Sequence, residues 1–211
     1  MSAIGFLGVP EITPDARRTF DEDLTELGFV MNASRLWAYA PATMNGLFDL
    51  MRQTSRAHEL TLRQRGILVA ACASASGDSY CSLAWGSKLA EATDAHTASA
   101  VLRGDDDGLT TSERAVADWA RKVARDPNHT VAADAQALRD AGYDDAQIFG
   151  ITVFVALRIA FLTVNDALGV RPDAEFRSVA PEAVLDAVTY GRPIDDETTG
   201  DQPLDQGRSR G

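Results

Sequence analysis

One stretch of the chain, Gly66 to Leu89, limits its possible folds more than any other. It begins with small apolar residues and contains no helix breaker until Gly77, so it predicts a helix that ends at Ser76. Asp78 is a preferred N-cap residue, and a second helix is expected directly after it. The stretch therefore predicts two consecutive helices joined by a tight turn.

The second helix would place Asp78, Cys81 and Trp85 on one face, because residues three and four apart are neighbours on a helix. Its first turn brings Cys81 close to unpaired backbone N–H groups and to the positive end of the helix dipole, which favours a thiolate. The Asp78 carboxylate disfavours a thiolate, so the direction of the Cys81 pKa shift stays open. We take Cys81 and Asp78 as the candidate catalytic residues. The alternative is that Asp78 only caps the helix and Cys81 only packs.

Composition favours an all-α fold. The chain has 211 residues, 45% of them hydrophobic and 24% charged, and its alanine-rich segments outnumber β-branched runs. We predict one all-helical domain over residues 1–194. The remainder, residues 195–211, is rich in Asp, Gly, Arg and Pro and is expected to be disordered.

The charge and the motifs exclude several partners and cofactors. A net charge of −11 with dispersed arginines argues against nucleic acid. The N-terminus lacks the features of a signal peptide, which predicts a cytoplasmic location and free thiols. No pair of histidines has metal-ligand spacing and no nucleotide fingerprint is present, so neither a metal nor a cofactor is expected. The acidic turn from Gly104 to Gly108 lacks the EF-hand pattern and is expected to be a solvated loop.

An apolar run from Ile148 to Leu168 is nearly long enough to cross a membrane, but Gly150, Arg158, Asn165 and Asp166 interrupt it. We therefore predict a buried helix and no membrane partner.

Other helix starts and stops are marked by capping residues: Thr13-Pro14 with Gly28, Asn32, Thr61 with Gln64, Thr110 or Thr111 with Glu113, and Asp144 with Gln147. Phe20, Leu24 and Leu27 are expected to form the apolar stripe of the first helix.

The segment from Leu60 to Leu89 resembles the core motif of the alkylhydroperoxidase D-like and carboxymuconolactone decarboxylase superfamily. Its redox members carry a glutamate on an apolar helix that leads into Cys-x-x-Cys-x-x-x-His. Cys81 matches the second cysteine, while Asp78, Trp85 and, in an alignment without a gap, Gly66 replace the first cysteine, the histidine and the glutamate. The resemblance covers residues 16–173 and includes three later segments similar to the peroxidase-related branch: residues 109–114, 137–142 and 165–169.

This resemblance implies an all-helical protein that assembles as a homo-oligomer. The family's peroxidase cycle needs a low-pKa thiolate and a second thiol that resolves the sulfenic acid, a step that Asp78 cannot perform. Cys72 is the only substitute thiol in the chain, and its place among alanines on the preceding helix favours a packed side chain.

Three functions stay open. The first is an oxidoreductase-related enzyme that acts on a small metabolite without the two-cysteine peroxidase cycle. The second is a decarboxylase- or lyase-like enzyme that uses Asp78 for acid–base chemistry. The third is a non-catalytic oligomeric binding or scaffold protein. A pocket around Cys81 would favour the enzymes, and a sealed Cys81 would favour the scaffold.

Four residues are candidates for substrate binding: Trp85, Tyr80, Arg158 and Asn165. Arg158 and Asn165 lie seven residues apart and so share a face of an otherwise apolar helix. Arg158 would hold Asp78 or a substrate carboxylate, or would instead extend to solvent or pair across a subunit interface. Asn165 would instead bond to the backbone. Trp85 would either shape a ligand cavity or fill the space of the family's histidine.

Overall fold

A computed structural model describes residues 4–196, and this part of the chain is helical, with no β-strand. The predicted all-α class is therefore confirmed. The helices are α1 (Pro14–Leu27), α2 (Asn32–Trp37), α3 (Pro41–Ala57), α4 (Leu62–Ser76), α5 (Ser79–Ala92), α6 (Ala95–Arg103), α7 (Thr111–Arg125), α8 (Ala132–Asp140), α9 (Asp145–Ala167), α10 (Phe176–Val179) and α11 (Glu182–Ala187), with a 3₁₀ turn at Pro127–His129.

The helix boundaries follow the capping signals in the sequence. Thr61 and Gln64 form a capping box at the start of α4, and Thr110 with Glu113 forms another at the start of α7. Gly77 ends α4 in the left-handed conformation, at a φ of 73°, and Asp78 caps α5. The two consecutive helices predicted around Gly77 are confirmed.

Helix α4 is the centre of the fold. It packs mainly against α5 and α7, and its residues from Gly66 to Ala73 are all buried. Gly66 allows α5 to approach closely, because a Cβ at this position would lie 3.1 Å from Leu89 Cδ1 and 3.2 Å from Leu89 Cβ. A glutamate at position 66 would therefore require Leu89 to shift slightly. This packing gives a physical reason for the glycine at the position aligned with the family's glutamate.

Helix α9 packs against α3, α4 and α7 and brings Arg158 and Asn165 into the interior. Among the described helices it is the one long and apolar enough, by length and composition, to cross a membrane. A core helix passes the same test, and α9 has buried Phe154, Val155 and Phe161 on its inner face. Its other face is solvent-exposed and carries Phe149, Ala156, Ala160, Thr163 and Ala167.

Two local predictions need correction. Asn32 is the first residue of α2 and not its cap, because its backbone N–H instead donates to Asp173 Oδ1 at 2.7 Å. Leu24 and Leu27 are 50% and 38% exposed, so Phe20 alone of the expected stripe on α1 is buried. The N-terminal helix lies at the edge of the fold, where one face has fewer neighbours to pack against.

The end of the described chain is held against the fold. Arg171 forms an ion pair with Asp195 at 3.2 Å, and Arg177 approaches Asp196 at 3.5 Å. The tail predicted to be disordered begins at residue 195, and its residues 197–211 lie outside the described residues.

Candidate functional site

Asp78 sits in the turn between α4 and α5 and is fully buried, at 0% exposure. Its backbone N–H donates to the Ala73 carbonyl at 2.9 Å, which continues the end of α4. Its carboxylate accepts from the backbone N–H of Tyr80 at 2.8 Å and from that of Cys81 at 3.2 Å. These bonds satisfy donors that the first turn of a helix otherwise leaves unpaired.

The Asp78 carboxylate and the Cys81 thiol also act on each other's pKa, as expected for neighbouring groups in one helical turn. Cys81 is 3% exposed. Burial raises the pKa of this thiol well above its ordinary value, and the negative charge of Asp78 adds to the effect. The sequence left open whether the pKa of Cys81 is raised or lowered, and the structure shows that it is raised. The thiol is therefore protonated at neutral pH.

Asp78 responds to the same environment. Burial raises the pKa of its carboxyl group to about 7, and the charge of Asp166 adds to this, while hydrogen bonds from Cys81 and Tyr80 oppose it. A carboxyl group with this pKa exchanges its proton close to neutral pH. The pair thus consists of a neutral thiol beside a carboxyl group that can both give and take a proton.

Arg158 lies in an aromatic environment beside this pair. Its guanidinium carbon is 4.6 Å from the centroid of the Trp85 ring, 5.6 Å from that of Phe154 and 5.7 Å from that of Phe48. The side chain is buried, and burial lowers its pKa to about 10. The charge of Arg158 and the Cys81 thiol act on each other's pKa.

Cys72 is a second buried thiol close to the pair, at 0% exposure. Burial raises its pKa to about 12, with a further contribution from Asp78. Both cysteines are free in the structure. Neither thiol has the low pKa that attack on a peroxide requires.

Tyr80 and Asn165 make other contacts. The Tyr80 hydroxyl donates to Asp173 Oδ2 at 2.6 Å and accepts from the Ala33 N–H at 3.3 Å. The Asn165 side-chain oxygen accepts from Trp37 Nε1 at 2.9 Å, so its partner is a side chain and not the backbone. These bonds connect α2 to distant parts of the chain, and the predicted role of both residues in substrate binding stays a prediction.

Sequence reasoning missed two groups next to the site. Lys88 Nζ lies 5.3 Å from the centroid of the Trp85 ring, and Asp166 acts on the Asp78 carboxyl group. The spacing of three residues between Trp85 and Lys88 was a usable signal, because it places both on one helix face. The approach of Asp166 depends on how α9 docks, which local spacing does not reveal.

A separate cleft of about 510 Å³ opens where the ends of α4, α6 and α7 meet the segment after α11. Its lining includes Ser74, Arg125 and Tyr190. The Tyr190 hydroxyl donates to Ser82 Oγ at 3.0 Å, which connects the wall of this cleft to α5. Within residues 4–196, no three His, Cys, Asp or Glu side chains are grouped closely enough to hold a metal ion.

Comparison with known sequences gives no match, either to a family model or to a curated protein. Comparison with solved structures does. An uncharacterized peroxidase-related protein from Ralstonia eutropha JMP134, described as an alkylhydroperoxidase AhpD core, is 25% identical with a TM-score of 0.71. The match covers 83% of this chain and 96% of that one.

Two further structures support the same fold. A peroxidase-related protein from Silicibacter sp. TM1040 is 20% identical with a TM-score of 0.74, over 84% of this chain and 96% of that one. A variant of the debrominase Bmp8 in complex with 2,3,4-tribromopyrrole is 19% identical with a TM-score of 0.70, over 89% of this chain and all of that one. The chain thus has the alkylhydroperoxidase D-like fold, and its resemblance to the alkylhydroperoxidase D-like superfamily is confirmed.

Proposed function

We propose that this chain is an alkylhydroperoxidase D-like enzyme that acts on a small metabolite by acid–base chemistry at the Asp78–Cys81 pair, without a two-cysteine peroxidase cycle. One observation carries the proposal: in the first turn of α5 the buried Asp78 carboxyl group is bonded to the backbone N–H of Cys81 and acts on the pKa of its thiol, on which the buried Arg158 also acts. One structural neighbour binds a small aromatic ring, tribromopyrrole, which supports a small-molecule site in this fold.

The state of the thiols argues against peroxidase chemistry. Burial raises the pKa of both Cys72 and Cys81, so neither is a ready nucleophile toward a peroxide. Asp78 occupies the position where the family's redox members carry the first cysteine, and a carboxylate does not form a disulfide.

The Asp78 carboxyl group fits acid–base chemistry better. A general acid or base works best when its pKa lies near the working pH, and the pKa of Asp78 is about 7. In the proposed reaction its carboxylate removes a proton from a carbon next to a carbonyl group and later returns it. The buried positive charge of Arg158 would favour an anionic substrate close to Cys81.

One observation favours the alternative of a non-catalytic binding or scaffold protein. Asp78 is 0% exposed and Cys81 is 3% exposed, so the side chains that cover the pair must move before a substrate can reach it. A scaffold would need no such movement. The two functions therefore differ in whether small molecules exchange protons with Asp78.

Carbon-bound hydrogen exchange separates these functions. The protein is incubated in D₂O with pyruvate, levulinate or γ-butyrolactone, and the loss of C–H signal is followed by NMR. We expect exchange above background that falls by about 100-fold in Asp78→Asn. Asp94→Asn is the matched control, because Asp94 also caps a helix but lies outside the site. Background rates with all three compounds would reject the enzyme and leave the scaffold.

A peroxidase assay tests the other part of the proposal. Turnover of cumene hydroperoxide with a dithiol reductant should be no faster than background, and equal for the wild type and Cys81→Ser. A rate that depends on Cys81 would restore the redox function.

We also propose that the chain self-associates through the exposed face of α9. This face is apolar at Phe149, Ala156 and Ala160, and a second copy would cover it. Ala160→Glu should then lower the mass measured by light scattering, and an unchanged mass would exclude this face. A cytoplasmic location and the lack of nucleic-acid and membrane partners stay predictions.

A further inference from the structure

The charge of Arg158 has no acidic partner within residues 4–196. Its side chain is 8% exposed, and its Nε is buried without a hydrogen-bond partner. The charged or ionisable groups that act on it are Cys81, Cys72 and Arg65, and none of them is a carboxylate. Burying a cation without an anion is costly, and aromatic faces offset only part of that cost.

Further positive charge gathers around the same indole ring. Lys88 Nζ lies 5.3 Å from the Trp85 centroid, while the Arg158 guanidinium lies at 4.6 Å. Partial burial lowers the pKa of Lys88, and the charges of Arg158 and Arg65 lower it further. Glu26 and Glu91 also act on Lys88 and favour its charged form. They are not among the groups that act on Arg158.

This concentration of cations is unusual for the chain as a whole, which has a net charge of −11. Acidic surroundings repel anions, so the two cations on the Trp85 ring, Lys88 and Arg158, would be the place where a small anion enters. A guanidinium binds a carboxylate through two parallel hydrogen bonds, a geometry that an ammonium does not offer.

We infer that Arg158, with Lys88 and Trp85, forms a subsite for the carboxylate of a small organic acid. The inference rests on the proposed function, since it names the substrate class of that site, but the binding it predicts can be measured without catalysis. Arg158 binds the carboxylate through two parallel hydrogen bonds, and Trp85 holds the guanidinium in place. Lys88 attracts the anion from solvent. The acid group is thereby anchored beside the Asp78–Cys81 pair.

Calorimetric titration of the full chain tests this subsite. The probe is succinate, and succinamide is the neutral molecule of nearly the same shape. We expect heat of binding with succinate and none with succinamide. Inorganic phosphate serves as a third probe, because a bidentate carboxylate site should bind it more weakly than succinate. Equal affinity for phosphate would overturn the assignment to carboxylates.

The variants separate the two cations. Arg158→Met should weaken succinate binding by at least about tenfold, because a charge-assisted hydrogen bond is lost. Arg158→Lys should bind with intermediate affinity, since it keeps the charge and loses the fork. Lys88→Met should weaken binding by about twofold to fivefold at low salt. Lys122→Met is the matched control, as Lys122 is the other lysine of the chain and pairs with Asp134 on the surface.

Two further outcomes would overturn the carboxylate subsite. If the wild type does not bind succinate while Arg158→Met changes the oligomeric mass, a carboxylate of a second copy is the partner and the subsite is wrong. If Arg158→Met and Lys122→Met bind succinate equally, the subsite is also wrong. Asp78→Asn should still bind succinate. Binding without any proton exchange would therefore remove the proposed function and leave the subsite.

Discussion

Among residues 4–196 two arginines are buried, and they are held in opposite ways. Arg121 on α7 donates from its two terminal nitrogens to Asp106 at 2.5 and 2.7 Å, and also to the Val101 carbonyl. Arg158 on α9 lies against three aromatic rings and has no carboxylate among residues 4–196. The two are equally buried, at 6% and 8% exposure.

The pKa values express this difference. Burial acts to lower the pKa of Arg121, but hydrogen bonds and the charge of Asp106 outweigh it and the pKa is raised. For Arg158 burial dominates, and the pKa is lowered to about 10. The Nε of each lacks a partner, so the contrast lies in the terminal nitrogens and the nearby charge. The fold supplies the anion for Arg121, and we propose that a ligand supplies it for Arg158.

The largest effect is expected for Arg121→Met. Removing one partner of a buried pair leaves Asp106 without its cation, which should lower the free energy of unfolding by about 3–5 kcal/mol. Urea unfolding followed by circular dichroism measures it. The double variant Arg121→Met/Asp106→Asn should recover part of the loss. A loss below about 1 kcal/mol would show that Arg121 contributes little to stability although it is buried and paired with Asp106.

The second-largest effect concerns how the Asp78 contribution to the free energy of unfolding changes with pH. Asp78 keeps its proton up to a pH of about 7 in the folded chain, while its ordinary value is 3.8. The unfolded chain therefore releases this proton first, and the Asp78 contribution to stability is lost as the pH rises from about 4 to about 7.

Asparagine caps helices and does not ionise, so Asp78→Asn should flatten this part of the pH profile. Relative to the wild type, we expect the variant to gain about 2–4 kcal/mol in unfolding free energy between pH 4 and pH 8. Urea titrations at a series of pH values measure the difference. Asp173, whose pKa burial raises to about 6, should leave a smaller slope in both proteins. If the unfolding free energies of the wild type and Asp78→Asn change equally with pH, the pKa of Asp78 is not raised in the folded chain.

Arg158→Met should behave unlike Arg121→Met. The substitution removes a charge that costs free energy to bury, and methionine fills much of the same apolar space between the rings. Without an added organic acid, we expect unfolding free energy to stay within about 1 kcal/mol of the wild type or to rise. A loss as large as that of Arg121→Met would mean that Arg158 is also a structural residue.

The smallest signal is expected from the thiols. Alkylation of the native chain by iodoacetamide at pH 8 should proceed at less than about a tenth of the rate of a free cysteine, since both thiols are buried and protonated. Mass spectrometry of Cys72→Ala isolates the rate at Cys81. Fast modification in that variant would mean that the site opens more readily than the buried pair suggests, which would sharpen the case for substrate access.

Much of the helical framework was predictable because its signals are local. The capping boxes at Thr61 and Thr110 and the stop at Gly77 involve residues within four positions of one another. The resemblance in the stretch around Cys81 predicted the fold that the solved structures support. The side-by-side placement of Asp78 and Cys81 followed from the same local geometry.

The electrostatics of the site were not predictable in this way. The acidic turn from Gly104 to Gly108 was expected to be solvated, yet Asp106 is 9% exposed because α7 brings Arg121 onto it. Local spacing likewise could not reveal that Arg158 would meet aromatic rings from α3 and α5. A composition of many acids and few lysines does not say which charges will be neighbours.

The sequence by itself determined most of the helix boundaries and which side chains share a face, because those features depend on bonds that span a few residues. Only the tertiary structure decided the charge states. The bond between Tyr80 and Asp173 joins residues 93 positions apart, and that between Trp37 and Asn165 joins residues 128 positions apart. The pKa of Cys81 and the unpaired charge of Arg158 depend on burial, and burial exists only once distant helices have packed together.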